Sequence, residues 1–276
     1  MKNTRTIMQG TKYVMITLAA LLFASPLLLT LLNSFKTKAE ISTSALAFPE
    51  TLNFDNYKII LTESNFVSSF LCSIFTVVVT TSLTVLISAV TGYALARWKG
   101  KLSRVIMLII MTTLFVPFQV YMVSLIVIVR KVGLVGSLFG LILVYIALGM
   151  PVPVFLCRSY CVGMAKDIEE AAYIDGCSRF KMIFLVILPL MKPILATVAV
   201  LNALWVWGEF LVAFLVYGNG KPMTLPLSQR YFYGTYSNQW NLILANFIIS
   251  SIPIIIFYIC MQKNIVKGIA AGAVKG

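Results

Sequence analysis

Apolar residues dominate six stretches of the chain, roughly 13–33, 66–96, 105–129, 134–157, 183–217 and 242–262, with polar residues gathered between them. A helix that crosses a bilayer needs about 20 mostly apolar residues, and each stretch is long enough to supply them. The second and fifth exceed one crossing, so they tilt or extend past the bilayer. The first follows Lys2, Arg5 and Lys12, as the core of a signal peptide would. The nearest small-residue cleavage pattern, Ala45-Leu46-Ala47, lies well beyond its end. It is therefore read as an uncleaved anchor. The pattern predicts an all-α integral membrane protein with six transmembrane helices. Residues 1–65 would form the anchor helix and an external loop, 66–262 the transmembrane domain, and 263–276 a small, flexible cytoplasmic tail.

Composition supports this. The 276 residues are 60% hydrophobic and 11% charged, with a mean hydropathy of +0.94, whereas soluble domains carry about 25% charged residues. The net charge of +13 is spread singly between apolar blocks rather than along a stripe, which argues against nucleic acid. Placed on alternating sides, fourteen Lys and Arg fall with the two termini and seven opposite, leaving out Lys192. The positive-inside bias then puts both ends in the cytoplasm. The chain has no histidine, which removes the commonest zinc ligand and the usual neutral-pH base. Its five cysteines have no metal spacing and read as small hydrophobes. No metal ligand set and no catalytic group is expected.

Nine acidic residues serve the whole chain, and Asp167, Glu169, Glu170 and Asp175 crowd into one cytoplasmic connection, 158–189. Asp167 is placed to cap a helix whose third position is Glu170. Gly176 ends that helix in a left-handed conformation, and Ser178 starts the next. Asp175, at the negative end of the first helix, is electrostatically unfavourable there. It either caps the second helix or meets a cation on a partner. Ala171 and Ala172 give the first helix a shallow face for close approach. A solvated, capped connector is the plainer alternative.

Glu170-Ala171-Ala172, then Gly176, Val186 and Leu188-Pro189 resemble the EAA signature of bacterial ATP-binding-cassette importer permeases. The ending QKNIVKGIAAGAVKG (262–276), WVWGEF (205–210) and TLPL (224–227) are similar to the carbohydrate-uptake branch, close to its maltose-type second permease. The resemblance implies a type-1 importer permease fold in a bacterial cell membrane, with the 158–189 loop docked on a cytoplasmic ATPase. Glu170 would pair with a basic residue of that ATPase, and Ala171 and Ala172 would form the contact face. Asp175, Gly176, Leu188 and Pro189 complete the coupling set. The implied partners are a second, homologous permease, two ATPase copies, an external solute-binding protein and a sugar. This chain has no Walker sequence and is not itself an enzyme, so ATP and magnesium would sit on the ATPase.

Glu209 is the only acidic residue within a predicted span, and an ionisable group at that depth is a functional candidate by default. With Trp205 and Asn202 it either lines a path for a polyhydroxylated ligand or belongs to an outer aromatic belt. Pro117, with Gln119, and Pro253 free backbone carbonyls at depth and read as gating bends or packing kinks, and Pro151 and Pro153 interrupt the fourth segment. The aromatic-rich stretch 228–240 anchors at the outer interface, stacks on sugar or meets the receptor. A secondary transporter driven by an ion gradient, with Glu209 as its proton or sodium site, is the rival class. An importer for a non-sugar solute is the nearer alternative.

Overall fold

The structure, a computed structural model, describes residues 2–63, 65–98, 100–233 and 238–273, and among them it is helical with no strand. The chain forms two compact units, one from 1–67 with 228–252 and one from 68–227 with 253–276.

The first unit begins with α1 (Lys2–Ser34), most of whose side chains between Thr11 and Leu31 are exposed. Two short helices follow, α2 (Lys38–Thr43) and α3 (Asp55–Glu63). Thr37 and Glu40 cap α2 reciprocally. Glu40 sits below the usual carboxylate range, chiefly because the Thr37 backbone N–H donates to it. Lys36 is buried and donates to the Ser44 carbonyl at 3.0 Å. Asn56 donates to the Ser34 and Lys36 carbonyls at 2.9 Å each, and Asn241 donates to Asn56 at 2.7 Å. Buried polar groups need such partners, so the loop expected outside the membrane is an ordered knot. In the 228–240 stretch, Tyr233 and Trp240 meet edge to face at 6.4 Å. Residues 234–237 of that stretch lie outside the described residues.

The second unit holds most of α4 (Phe66–Arg97), then α5 (Lys101–Thr112), α6 (Phe118–Lys131), α7 (Leu138–Gly149), α8 (Pro151–Val162) and α9 (Asp167–Ile174). Helices at Arg179–Met182 and Lys192–Gly208 follow, and the last helix is Trp240–Ala273. Among the described residues, three helices are long and apolar enough to cross a membrane singly, and up to six spans result if each of three bent pairs counts as one. The third and fourth segments bend at prolines read as interruptions, and the fifth, expected to run on as one helix, bends as well. The third turns by 108° between Phe115 and Phe118, because Pro117 cannot continue the helix and holds Val116 extended (φ −93°, ψ 114°). The fourth bends by 47° at Pro151 and Pro153, and Arg179–Leu190 meets Lys192–Gly208 at 76° between Pro189 and Pro193. The fifth segment breaks again at Glu209, which is extended (φ −76°, ψ 112°). Pro253, by contrast, lies inside an unbroken helix. That helix runs on to Ala273, so most of the expected flexible tail is helical, and 274–276 lie outside the described residues.

Apolar cores hold this unit, among them a small one at Leu95, Met107 and Val154 and two larger ones. Of the larger two, one joins Tyr93, Cys157, Cys161, Ala172, Met182, Ile187 and Met191; the other joins Leu141, Tyr145, Val206, Ala213, Val216 and Leu227. Cys72, Cys157 and Cys161 are buried as small hydrophobes, while Cys177 is half-buried and Cys260 exposed.

Candidate functional site

The acidic connection folds as helix, turn, helix. α9 has Asp167, Glu169 and Glu170 in its first turn, where they complement the positive end of the helix. The expected cap at Asp167 is corrected. Lys166 is the capping residue and makes no side-chain cap bond, while its carbonyl accepts from the N–H groups of Glu169 (2.8 Å) and Glu170 (3.1 Å). Helical geometry begins at Asp167 itself, so its carboxylate lies too far along to close the end.

The far end follows the expectation. Gly176 has φ +77°. Its N–H donates to Tyr173 O and that of Cys177 to Ala172 O, both at 3.0 Å, the paired bonds of a Schellman cap. Ser178 accepts from the Lys181 N–H at 3.4 Å and caps the following helix. Asp175 therefore does not cap that helix; it is exposed at the end of α9.

The residues of this motif divide between two surfaces. Glu170, Ala171, Asp175 and Gly176 are exposed. Ala172 is buried within the core, so it forms no part of an outward alanine face. Leu188 packs against the same core, and exposed Pro189 stands just before the 76° bend. Sequence reasoning missed Ile174, 86% exposed, and Phe180, 71% exposed and packed on Phe184 at 4.6 Å.

It also missed that Glu169 faces the opposite way from Glu170. Glu169 is ion-paired with Arg97 at the end of α4 and accepts from the Tyr93 hydroxyl at 2.9 Å. Arg97 donates further to the carbonyls of Cys161 (2.8 Å) and Met164 (3.2 Å). The YALAR run that ends α4 was the available signal, an arginine and a tyrosine one turn apart at the end of an apolar helix.

Two of the three proposed path residues meet in one place. Asn202 and Trp205 line a cavity of about 300 Å³ with Gly149, Pro151 and Val198, where the fourth segment bends. An adjoining cavity of about 590 Å³ shares Leu114, Leu148 and Pro151 and reaches Thr113 and Tyr121. Asn202 is buried and accepts from the Thr81 hydroxyl at 3.0 Å, and Trp205 meets Tyr145 edge to face at 5.6 Å. Glu209 is not among the residues lining either cavity. Its carboxylate accepts from the Val212 N–H at 2.8 Å and its carbonyl from the Tyr145 hydroxyl at 3.2 Å, so it ties down the helix break. A Cβ on Gly149 would stand 2.8 Å from Asn202 Nδ2 and 3.2 Å from Trp205. Gly149→Ala is expected to lower stability by about 1–3 kcal/mol through overpacking, read as a lower melting temperature in detergent.

Apolar helices bent around cavities, with a helix–turn–helix exposed beside them, are the build of a membrane transport subunit. Residues 85–271 match the family described as binding-protein-dependent transport system inner membrane component, and the chain belongs to that family. It is 38% identical to a probable starch degradation products transport system permease protein of Thermoanaerobacterium thermosulfurigenes, over 93% of both chains. It is 33% identical to a multiple sugar-binding transport system permease protein of Streptococcus mutans, over all of both. It is also 33% identical to an arabinooligosaccharides transport system permease protein of Halalkalibacterium halodurans, over 91% of both. A chain in the crystal structure of a bacterial ABC transporter that imports the acidic polysaccharide alginate has the same fold. The TM-score is 0.78 at 22% identity, covering 94% of this chain and 97% of that one.

Proposed function

We propose that the chain is one permease of an ATP-driven importer for a sugar or oligosaccharide. It pairs with a second, homologous permease, two cytoplasmic ATPase subunits and an external solute-binding protein. The sugar-transport relatives and the full-length match to them support the substrate class. The exposed α9 surface carries the coupling reading. Its exposed carboxylates at Glu170 and Asp175 and its open apolar side chains at Ile174 and Phe180 suit a partner with a basic-rimmed apolar cleft. The termini face the cytoplasm with this loop. ATP with magnesium binds the ATPase, and this chain converts the closure of the ATPase into movement around its cavity. Asn202 and Trp205 are the path residues. The ion-gradient rival loses its site, because Glu209 is engaged by the Val212 N–H away from the cavity.

Purification in mild detergent should retain an ATPase, and proteoliposomes should take up the receptor's sugar with ATP whether or not an ionophore is present. Uptake abolished by the ionophore at constant ATP would overturn the reading. Ile174→Asp is expected to leave the fold intact and weaken ATPase retention about tenfold or more, as loss of an apolar anchor does. Co-purified ATPase per permease measures it.

A further inference from the structure

Arg97, Glu169 and Tyr93 stand outside the exposed docking face, yet they bind the docking helix to the membrane bundle. The Arg97 guanidinium uses Nε for Glu169, Nη1 for the Cys161 carbonyl and Nη2 for the Met164 carbonyl. Its planar fork thus reaches one acceptor on α8, one in the connection that follows and one on α9. The two carbonyls belong to the end of α8 and the residues just past it, where the negative end of the helix favours a cation. Glu169 lies in the first turn of α9, where an anion is favoured. Tyr93, one turn before Arg97 on α4, donates to the other Glu169 oxygen, and its ring stands 5.8 Å from the guanidinium. The Arg97 and Glu169 side chains are only 15% and 14% exposed. A charged pair so enclosed is lost as a unit once either partner is removed.

We propose that this triad is the strut that transmits movement of the docking helix into α4. Without it, a displacement of α9 is taken up by the 163–166 connection and the bundle stays behind. α4 also carries Thr81, which holds Asn202 at the cavity, so the helix gripped by the triad at one end contacts the cavity lining further along. Arg97, Glu169 and Tyr93 are positioning residues in this scheme; none touches the solute or the nucleotide. The inference rests on the docking role of α9.

The test uses the complete transporter in proteoliposomes, with Glu169→Gln and Arg97→Gln made singly and together. Each single variant is expected to retain its ATPase subunits and hydrolyse ATP, while solute moved per ATP falls about tenfold, within the usual span of a coupling energy. The double variant is expected to fall no further, because two residues of one tie do not add. Tyr93→Phe keeps the ring packing and should lose about fivefold, the effect of one hydrogen bond. Solute per ATP at the wild-type ratio in any single variant overturns the strut. So does a fall that merely tracks lost ATPase subunits, or a double variant whose losses multiply. Glu170→Lys serves as the control. If it too transports normally, the docking role fails; if it fails while Glu169→Gln transports, only the strut is wrong.

Discussion

Glu170→Lys is expected to lower ATP-dependent uptake by about 100-fold, the loss that follows when a cation replaces the anion of a desolvated interface pair. Glu170 is exposed, and its carboxylate has no partner among the described residues. Its backbone N–H bonds to Lys166 O whatever the side chain. Reversing its charge therefore removes little from the fold beyond about 0.3–1 kcal/mol of interaction with the helix end. Membrane insertion and melting temperature should stay near wild type while transport collapses. Glu169, one residue earlier, should behave in the opposite manner in a stability assay, since its carboxylate is enclosed by Arg97 and Tyr93. Uptake in vesicles, normalised to permease in the membrane fraction, measures the first effect. Thermal unfolding in detergent separates the two residues.

Gly176→Pro should be of similar size for a different reason. Proline fixes φ near −65° and has no N–H. The turn here needs φ +77° and a bond from this N–H to Tyr173 O. The substitution thus removes the Schellman cap and re-aims Ile174 and Phe180, a local change of roughly 3 kcal/mol or more. Uptake should be lost while the spans still insert. Gly176→Ala is the informative companion. Among the described residues, none beyond the chain neighbours comes within 4 Å of the added Cβ, so only left-handed strain of about 1–2 kcal/mol remains, and transport should be reduced rather than abolished. Equal loss in both variants would show that the backbone conformation is not what matters.

The apolar runs revealed the crossing segments because hydropathy reports burial in lipid, and that signal needs no tertiary information. The turn at Gly176 and the cap at Ser178 were legible for the same reason; each is a local matter of φ and of one side-chain oxygen. The prolines at 117, 151 and 153 announced interruptions, but an apolar run is blind to direction, so neither the angles nor the bend between Pro189 and Pro193 was legible. The inward face of α9 was not legible either. Glu169 and Glu170 are chemically alike and differ by one step around the helix, and the partner that separates them lies 72 residues away in the sequence. Ala172 went to the core rather than outward on the same rotation. Glu209 drew notice as an acid at depth, and the structure gives its carboxylate a helix-break amide instead of an opening. The family resemblance rested on the surviving signature at 170–189 and on the tail, and the match over 85–271 carries it.

The central claim, that α9 is gripped by a separate ATPase, is tested most directly by crosslinking from Ala171→Cys, a small exposed position on its outer face. The purified transporter would carry Cys260→Ser to remove the exposed native thiol. A short thiol crosslinker should join residue 171 to the subunit that a photoreactive ATP analogue labels, with a yield that changes between nucleotide-free and ATP-bound states. An active transporter in which position 171 reacts readily with a small maleimide, yet never forms that crosslink in either state, would contradict the account.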